Sequence, residues 1–114
     1  MTYDEVIKDI ETARDILLKT DSSIVVVKDG EILAEKHGEG MKPFLETIDE
    51  LRRDIIGSTI GARTLGKSSA LLCAYSKVRG VYSPQGTKTA IAVLIRSGVT
   101  SQVDKLVPYV VNRT

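Results

Sequence analysis

The sequence predicts an α/β domain: a mixed β-sheet with helices on both faces, three layers in all. Three observations carry this reading. Apolar residues recur at helical spacing in several separate stretches. The pair Asp29-Gly30 stands between two apolar runs, the mark of a tight antiparallel hairpin. Late in the chain strand and helix patterns alternate, which implies β-α-β units and parallel pairing. Antiparallel pairing early and parallel pairing late make a mixed sheet, and such a sheet buries both faces only under helices.

Taken in order, Thr2 and Glu5 have the spacing of a capping box. Val6, Ile10, Ala13 and Leu17 follow at helical spacing with Ile7 beside them, so Tyr3 to Lys19 reads as an amphipathic helix. Thr20, Asp21 and Ser22 end it. Ile24 to Val27 is a continuous β-branched run, expected as a central strand covered on both faces. Glu31 to Lys36 is the return strand, with Ile32 and Ala34 on one face and Leu33 and Glu35 on the other. His37 to Gly40 is a loop. Pro43 suits a first helical turn, and Phe44, Ile48, Leu51 and Ile55 extend a helix over Pro43 to Ile56, capped by Gly57. Ser58 to Leu65 carries no clear pattern. Lys67 to Lys77 is a helix rich in small residues and so suited to close central packing. Gly80 to Ser83 is a short strand ended by Pro84. Gly86 to Ser97 is a helix presenting Ala90, Val93, Leu94 and Ser97, capped by Gly98. Val107 to Val111 closes the chain as a strand, with Pro108 at its edge or start.

The chain has 114 residues, the size of one domain spanning 1–114. With one Phe, four Tyr and no Trp, its core must be aliphatic. Sixteen basic residues stand against 15 acidic ones, and a net charge of +1 argues against a general nucleic-acid binder. Cys73 is the single cysteine, which excludes an internal disulfide; with one His, a Cys/His zinc cluster within the chain is excluded too. No basic stretch followed by an apolar run opens the sequence, and no apolar run approaches the roughly 20 residues that span a bilayer. The expectation is a cytoplasmic protein without a membrane partner.

Gly61 to Ser68 reads G-A-R-T-L-G-K-S, the letters of a phosphate-binding loop. That loop needs a buried strand leading into its first glycine. The pattern before Gly61 is helical, and no apolar strand ending in Asp follows to hold magnesium. The order of elements instead resembles the cytidine-deaminase-like fold. There a helix precedes a hairpin; a helix with an H-A-E motif follows, then a strand, then a helix opening with P-C-x-x-C. Leu65-Gly66-Lys67-Ser68-Ser69-Ala70 takes the place of the first motif and Tyr82-Ser83-Pro84-Gln85-Gly86-Thr87-Lys88 that of the second. The helix over Pro43 to Ile56 reads as an insertion. Leu65 then stands where the zinc-binding His would be, Lys67 near the catalytic Glu, and Gln85 and Lys88 near the two Cys positions. Zinc-hydroxide attack needs both the ligands and the proton shuttle, so the resemblance carries over neither deaminase activity nor a metal or other cofactor. The whole chain resembles a small prokaryotic family of uncharacterised proteins that share this fold and lack the zinc motif.

On this reading the former metal site lies between helix starts at Gly66 and Gln85. Helix starts offer free N–H groups and partial positive charge. Lys67 and Lys88 would add charge, and Arg63, Ser68, Ser69 and Thr87 would donate hydrogen bonds. Gly66 and Gly86, with Gly61, would let backbone approach a ligand. Arg63, Gly66, Lys67, Ser68, Gln85, Gly86, Thr87 and Lys88 are therefore the candidate residues for a small anion: phosphate, carboxylate or nucleotide. The same residue types are what any helix start prefers, so caps and solvated lysines stand as the other account. Cys73 is either a buried inert thiol or a candidate nucleophile. His37 is expected in solvent, and Tyr75, Tyr82 and Tyr109 line the site or pack the core. Two functions remain open: a metal-free anion-binding domain, and a non-catalytic interaction module that forms homo-oligomers.

Overall fold

The computed structural model describes residues 2–110. Helix α1 spans Tyr3–Lys19, strands β1 and β2 Ile24–Lys28 and Glu31–Lys36, and helix α2 Lys42–Leu51, which runs into a 3-10 turn at Arg52–Ile55. Strand β3 (Thr59–Ala62), helix α3 (Lys67–Tyr75), strand β4 (Gly80–Gly86), helix α4 (Lys88–Arg96) and strand β5 (Thr100–Leu106) complete the order. The sheet runs β2-β1-β3-β4-β5. β1 is antiparallel to both β2 and β3, while β3, β4 and β5 are mutually parallel. The mixed sheet is thus present, with helices on both faces.

Strict alternation along β1 divides the core. Val25 and Val27 face α1, packing with Val6, Ile10, Ala13, Leu17 and Tyr82. Ile24 and Val26 face the other helices, with Phe44 of α2, Ala70 and Cys73 of α3, and Ala90 and Leu94 of α4. α1 lies directly on the sheet because two strands carry glycine beneath it. A Cβ on Gly61 would lie 2.9 Å from Leu17 Cδ1, and one on Gly80 would lie 3.0 Å from Val6 Cγ1.

The hairpin forms as its sequence demands. Asp29 and Gly30 take φ of 52° and 82°, the left-handed pair a two-residue turn needs. Asp9, buried on α1, fixes this turn: its carboxylate accepts from the N–H of Asp29 at 3.1 Å and of Gly30 at 2.9 Å. The register slips between Val26 and Val27, so Leu33 is an extra residue in β2. This corrects the expected alternation: Leu33 and Ala34 both pack toward the α2 side, and Ile32 is exposed.

Several boundaries differ from expectation; α3 ends at Tyr75 and α4 starts at Lys88. The segment without a pattern holds the central strand β3, whose four residues T-I-G-A are too short and too interrupted by glycine to declare themselves. The helix expected over Pro43 to Ile56 breaks at Arg52, which takes φ 50°. β4 continues through Pro84 to Gly86. It can do so because β3 pairs with it only as far as Tyr82, leaving the missing proline N–H outside that ladder. The closing strand is Thr100–Leu106, not Val107 to Val111; Pro108 follows it, and Val111 lies outside the described residues. β5 is an edge strand, so its polar residues escape an apolar search.

Candidate functional site

The starts of α3 and α4 do come together. Leu65 is the link: its N–H donates to Gln85 O and its carbonyl accepts from Thr87 N–H, both at 3.0 Å. Gly66, Lys67 and Ser68 therefore lie beside Gln85, Gly86, Thr87 and Lys88. The glycines are there for packing. A Cβ on Gly66 would lie 2.6 Å from Val110 Cγ2, and one on Gly86 would lie 3.2 Å from Val103 Cγ1 and 3.3 Å from Leu65 Cβ. Gly61 lies inside β3 under α1, so the phosphate-loop letters span a strand, a loop and a helix start. Thr87 is buried, and its Oγ1 accepts from Ala90 N–H at 3.1 Å, capping α4 from within. Lys67, Ser68 and Lys88 are exposed, and Gln85 is half-buried. Arg63 turns its guanidinium to the loop after α1: Nε donates to Ser22 O at 3.0 Å, and Nη2 donates to Thr20 O at 2.8 Å and Ser22 O at 2.7 Å.

A cavity of about 220 Å³ lies on the other side of the α3 start, among Ser23, Ile24, Gly38 to Met41, Pro43, Phe44, Ala62 to Thr64 and Ser69. The pairing of Ile24 with Ala62 sets the start of β1 beside the end of β3. The loop before α2 folds over this junction, held by a hydrogen bond from Ser23 Oγ to Gly38 O. Ser69 Oγ, 3.4 Å from Met41 Sδ, joins the first turns of α3 and α2. Both helices start here without a side-chain cap, at Met41 and Gly66, whereas α1 and α4 are capped by Thr2 and Thr87. First-turn amides have no partner within their own helix, so the cavity sits where two sets converge. Of the predicted residues Arg63 and Ser69 line it, and Gly66, Lys67 and Ser68 open α3 alongside; Gln85, Gly86, Thr87 and Lys88 do not line it. His37 is also outside the lining, with Nδ1 3.0 Å from Asp21 Oδ1.

Sequence reading misses this cavity because it misses β3, which displaces the correspondence by one element. The order hairpin, helix, strand, helix is α2, β3, α3 after the hairpin. The H-A-E place therefore falls at the start of α2, near Gly38 to Phe44, and the P-C-x-x-C place at Thr64 to Lys67. α2 is an element of the fold, not an insertion. The signals are present in Gly38, Gly40 and Pro43.

These residues do not fit zinc. The starts of α2 and α3 offer Glu39 as the one ionisable oxygen donor and neither His nor Cys. Among the described residues, no three His, Cys, Asp or Glu side chains gather as a metal ion would require. Cys73 lies in the core against the sheet, outside the cavity lining, and burial pushes its thiol up to about 12. A nucleophile needs the thiolate, which that setting disfavours.

The family profile TM1506, a domain of unknown function (DUF1893), matches residues 12–114. No curated protein matches the sequence. Among solved structures, a DUF1893 family protein (TM1506) from Thermotoga maritima superposes with a TM-score of 0.80 at 22% identity, over 99% of this chain and 73% of that one. A dCMP deaminase from the cyanophage S-TIM5, in complex with dCMP and dUMP, gives 0.59 at 18% identity, over 90% of this chain and 98% of that one. RibD from Acinetobacter baumannii gives 0.58 at 16%, covering 87% of this chain and 34% of that one. The fold is deaminase-like. Among the described residues no helix is long and apolar enough to cross a membrane.

Proposed function

The chain belongs to the DUF1893 family, a domain of unknown function, and from the cavity at its two uncapped helix starts we propose that it binds a small anionic molecule. The carrying observation is the convergence of α2 and α3, neither capped by a side chain, on one cavity. Helix starts favour negative charge. Lys67, exposed in the first turn of α3, adds positive charge to that helix start. Ile24, Phe44 and Ala62 give the cavity an apolar wall. At about 220 Å³ it is smaller than the roughly 300–1,000 Å³ of drug-sized sites. That size selects a phosphate, a small carboxylate or one end of a nucleotide. The dCMP and dUMP complex of the cyanophage deaminase supports a nucleotide as the larger candidate.

The test is amide NMR of the 15N-labelled protein titrated with inorganic phosphate and with dCMP. Saturable shifts are expected at Gly38 to Phe44 and Thr64 to Ser69. Ser69→Asp would place a carboxylate in the first turn of α3, where it favours the helix and occupies the anion's position. It should weaken binding at least about tenfold, with amide shifts away from the cavity unchanged as the sign that the fold is kept. Unaltered affinity in this variant, or shifts elsewhere, would remove the proposal.

A second reading, assembly with copies of itself, rests on Leu71, Tyr75 and Ile95, which stand exposed on the outer faces of α3 and α4. A monomer in light scattering at high concentration would count against it.

A further inference from the structure

We propose a second ligand site, for a small amphiphilic anion, in the groove between the C-terminal end of α2 and the end of α3. The groove is open and encloses about 680 Å³, within the range of ordinary ligand sites. Its floor is apolar, formed by Ile48, Leu51 and Ile55, with Ile56 exposed beside them. Arg52 and Arg53 stand at its edge, and among the described residues neither has an ion pair or a side-chain hydrogen bond. The acidic residues present do not cancel them. Glu50 is held by Lys36 Nζ at 2.6 Å. Asp54 also lines the groove, but Lys28 Nζ, donating to the Asp54 backbone carbonyl at 3.2 Å, brings a third cation beside it, so positive charge outweighs that one carboxylate.

Two further observations point the same way. Ser76 lines the groove and is 7% exposed, and its Oγ has no hydrogen-bond partner. Buried hydroxyls are almost always partnered; this Oγ lies beneath the groove surface, and a ligand's polar atom reaches it once the wall opens. Arg52 holds φ 50° and ψ −119°, a conformation that suits glycine and strains any residue with a Cβ. Glycine would remove the strain, yet the position carries a guanidinium at the edge of an apolar groove. A charged side chain where glycine would sit without strain points to a use for its charge. Guanidinium groups grip carboxylate and phosphate oxygens in pairs, and the floor takes the apolar body.

The test titrates decanoate into the 15N-labelled full chain, with decanol as the uncharged control. Saturable shifts at Leu51 to Ile56 and Ser76 are expected, with decanol at least about tenfold weaker. Arg52→Gly should lose at least about tenfold in decanoate affinity while its Tm stays level or rises. Arg52→Lys, which keeps the charge but loses the paired donors, should fall between the native chain and Arg52→Gly. The proposal is overturned by decanoate shifts confined to the α2–α3 cavity, by equal binding of decanol, by undiminished affinity in Arg52→Gly, or by a fall in that variant's Tm, which would give Arg52 a role in the fold.

Discussion

Asp9 is a charged residue that its sequence neighbours give no reason to bury. It sits in α1 between apolar positions, and helical spacing alone assigns it to the flank. Its purpose appears only in three dimensions, where it accepts the two turn amides of a hairpin twenty residues away. Replacing Asp9 with Ala strands those donors beside a helix, and should cost about 1–3 kcal/mol, read as a lower urea midpoint. Glycine legibility fails in the opposite direction. Gly61 and Gly66 look like elements of a phosphate loop because spacing is all a motif records. Their cause is steric: Leu17 crosses over one and Val110 over the other. Cys73, by contrast, is readable either as inert or as reactive, and its place in the aliphatic core favours the inert account. Maleimide should label the native thiol far more slowly than the unfolded one.

At the scale of elements, legibility follows the strength of the local signal. α1 has a capping box and a full apolar stripe, and its sequence gives its bounds to the residue. The hairpin has Asp29-Gly30, whose backbone preference acts within four residues. β3 has neither device. It is buried on every position between two longer strands, and its neighbours specify it more than its own four residues do. β5 is the converse, polar because it is an edge and so indistinct from a loop. The pattern starts α4 too early because Gly86 reads as part of the helix. The actual cap is Thr87, which holds the Ala90 amide. Thr87→Ala should destabilise the protein by about 0.5–2 kcal/mol in chemical denaturation, while Thr87→Ser should retain most of the stability. An unchanged midpoint in the alanine variant would deny the cap its role.

For the molecule as a whole, the division into two packed faces has a consequence in alkali. Each face buries one group that resists ionisation. Cys73 lies under α3, and burial raises it from 9.0 to about 12. Tyr82 lies under α1, where burial and then its 2.5 Å hydrogen bond to Asp104 raise it from 10.0 to about 12. Below pH 9 the folded and unfolded chains both hold these protons, and stability is at its full value. Between pH 9 and about 12 the unfolded chain releases them first, so the unfolded state gains and stability falls. Urea midpoints at pH 8, 9.5 and 11 should decline. The double variant Cys73→Ala, Tyr82→Phe should start lower and decline less steeply; an equal slope would refute the burial of both groups. Fold class and sheet type are legible at this scale because they follow from element order. The cavity is not, since its walls come from four separate segments and one of them, β3, has no pattern of its own.

The hold of Asp9 on the hairpin also joins two regions in time. Asp29 and Gly30 are exposed at the tip of a turn, where backbone protons normally trade with solvent at once. Here their partner oxygens ride on α1, so the trade waits until that helix lifts away from the sheet. The deuterium uptake of two surface amides thereby becomes a clock for the undocking of a whole layer, and it should keep the same rate as the interior amides of α1.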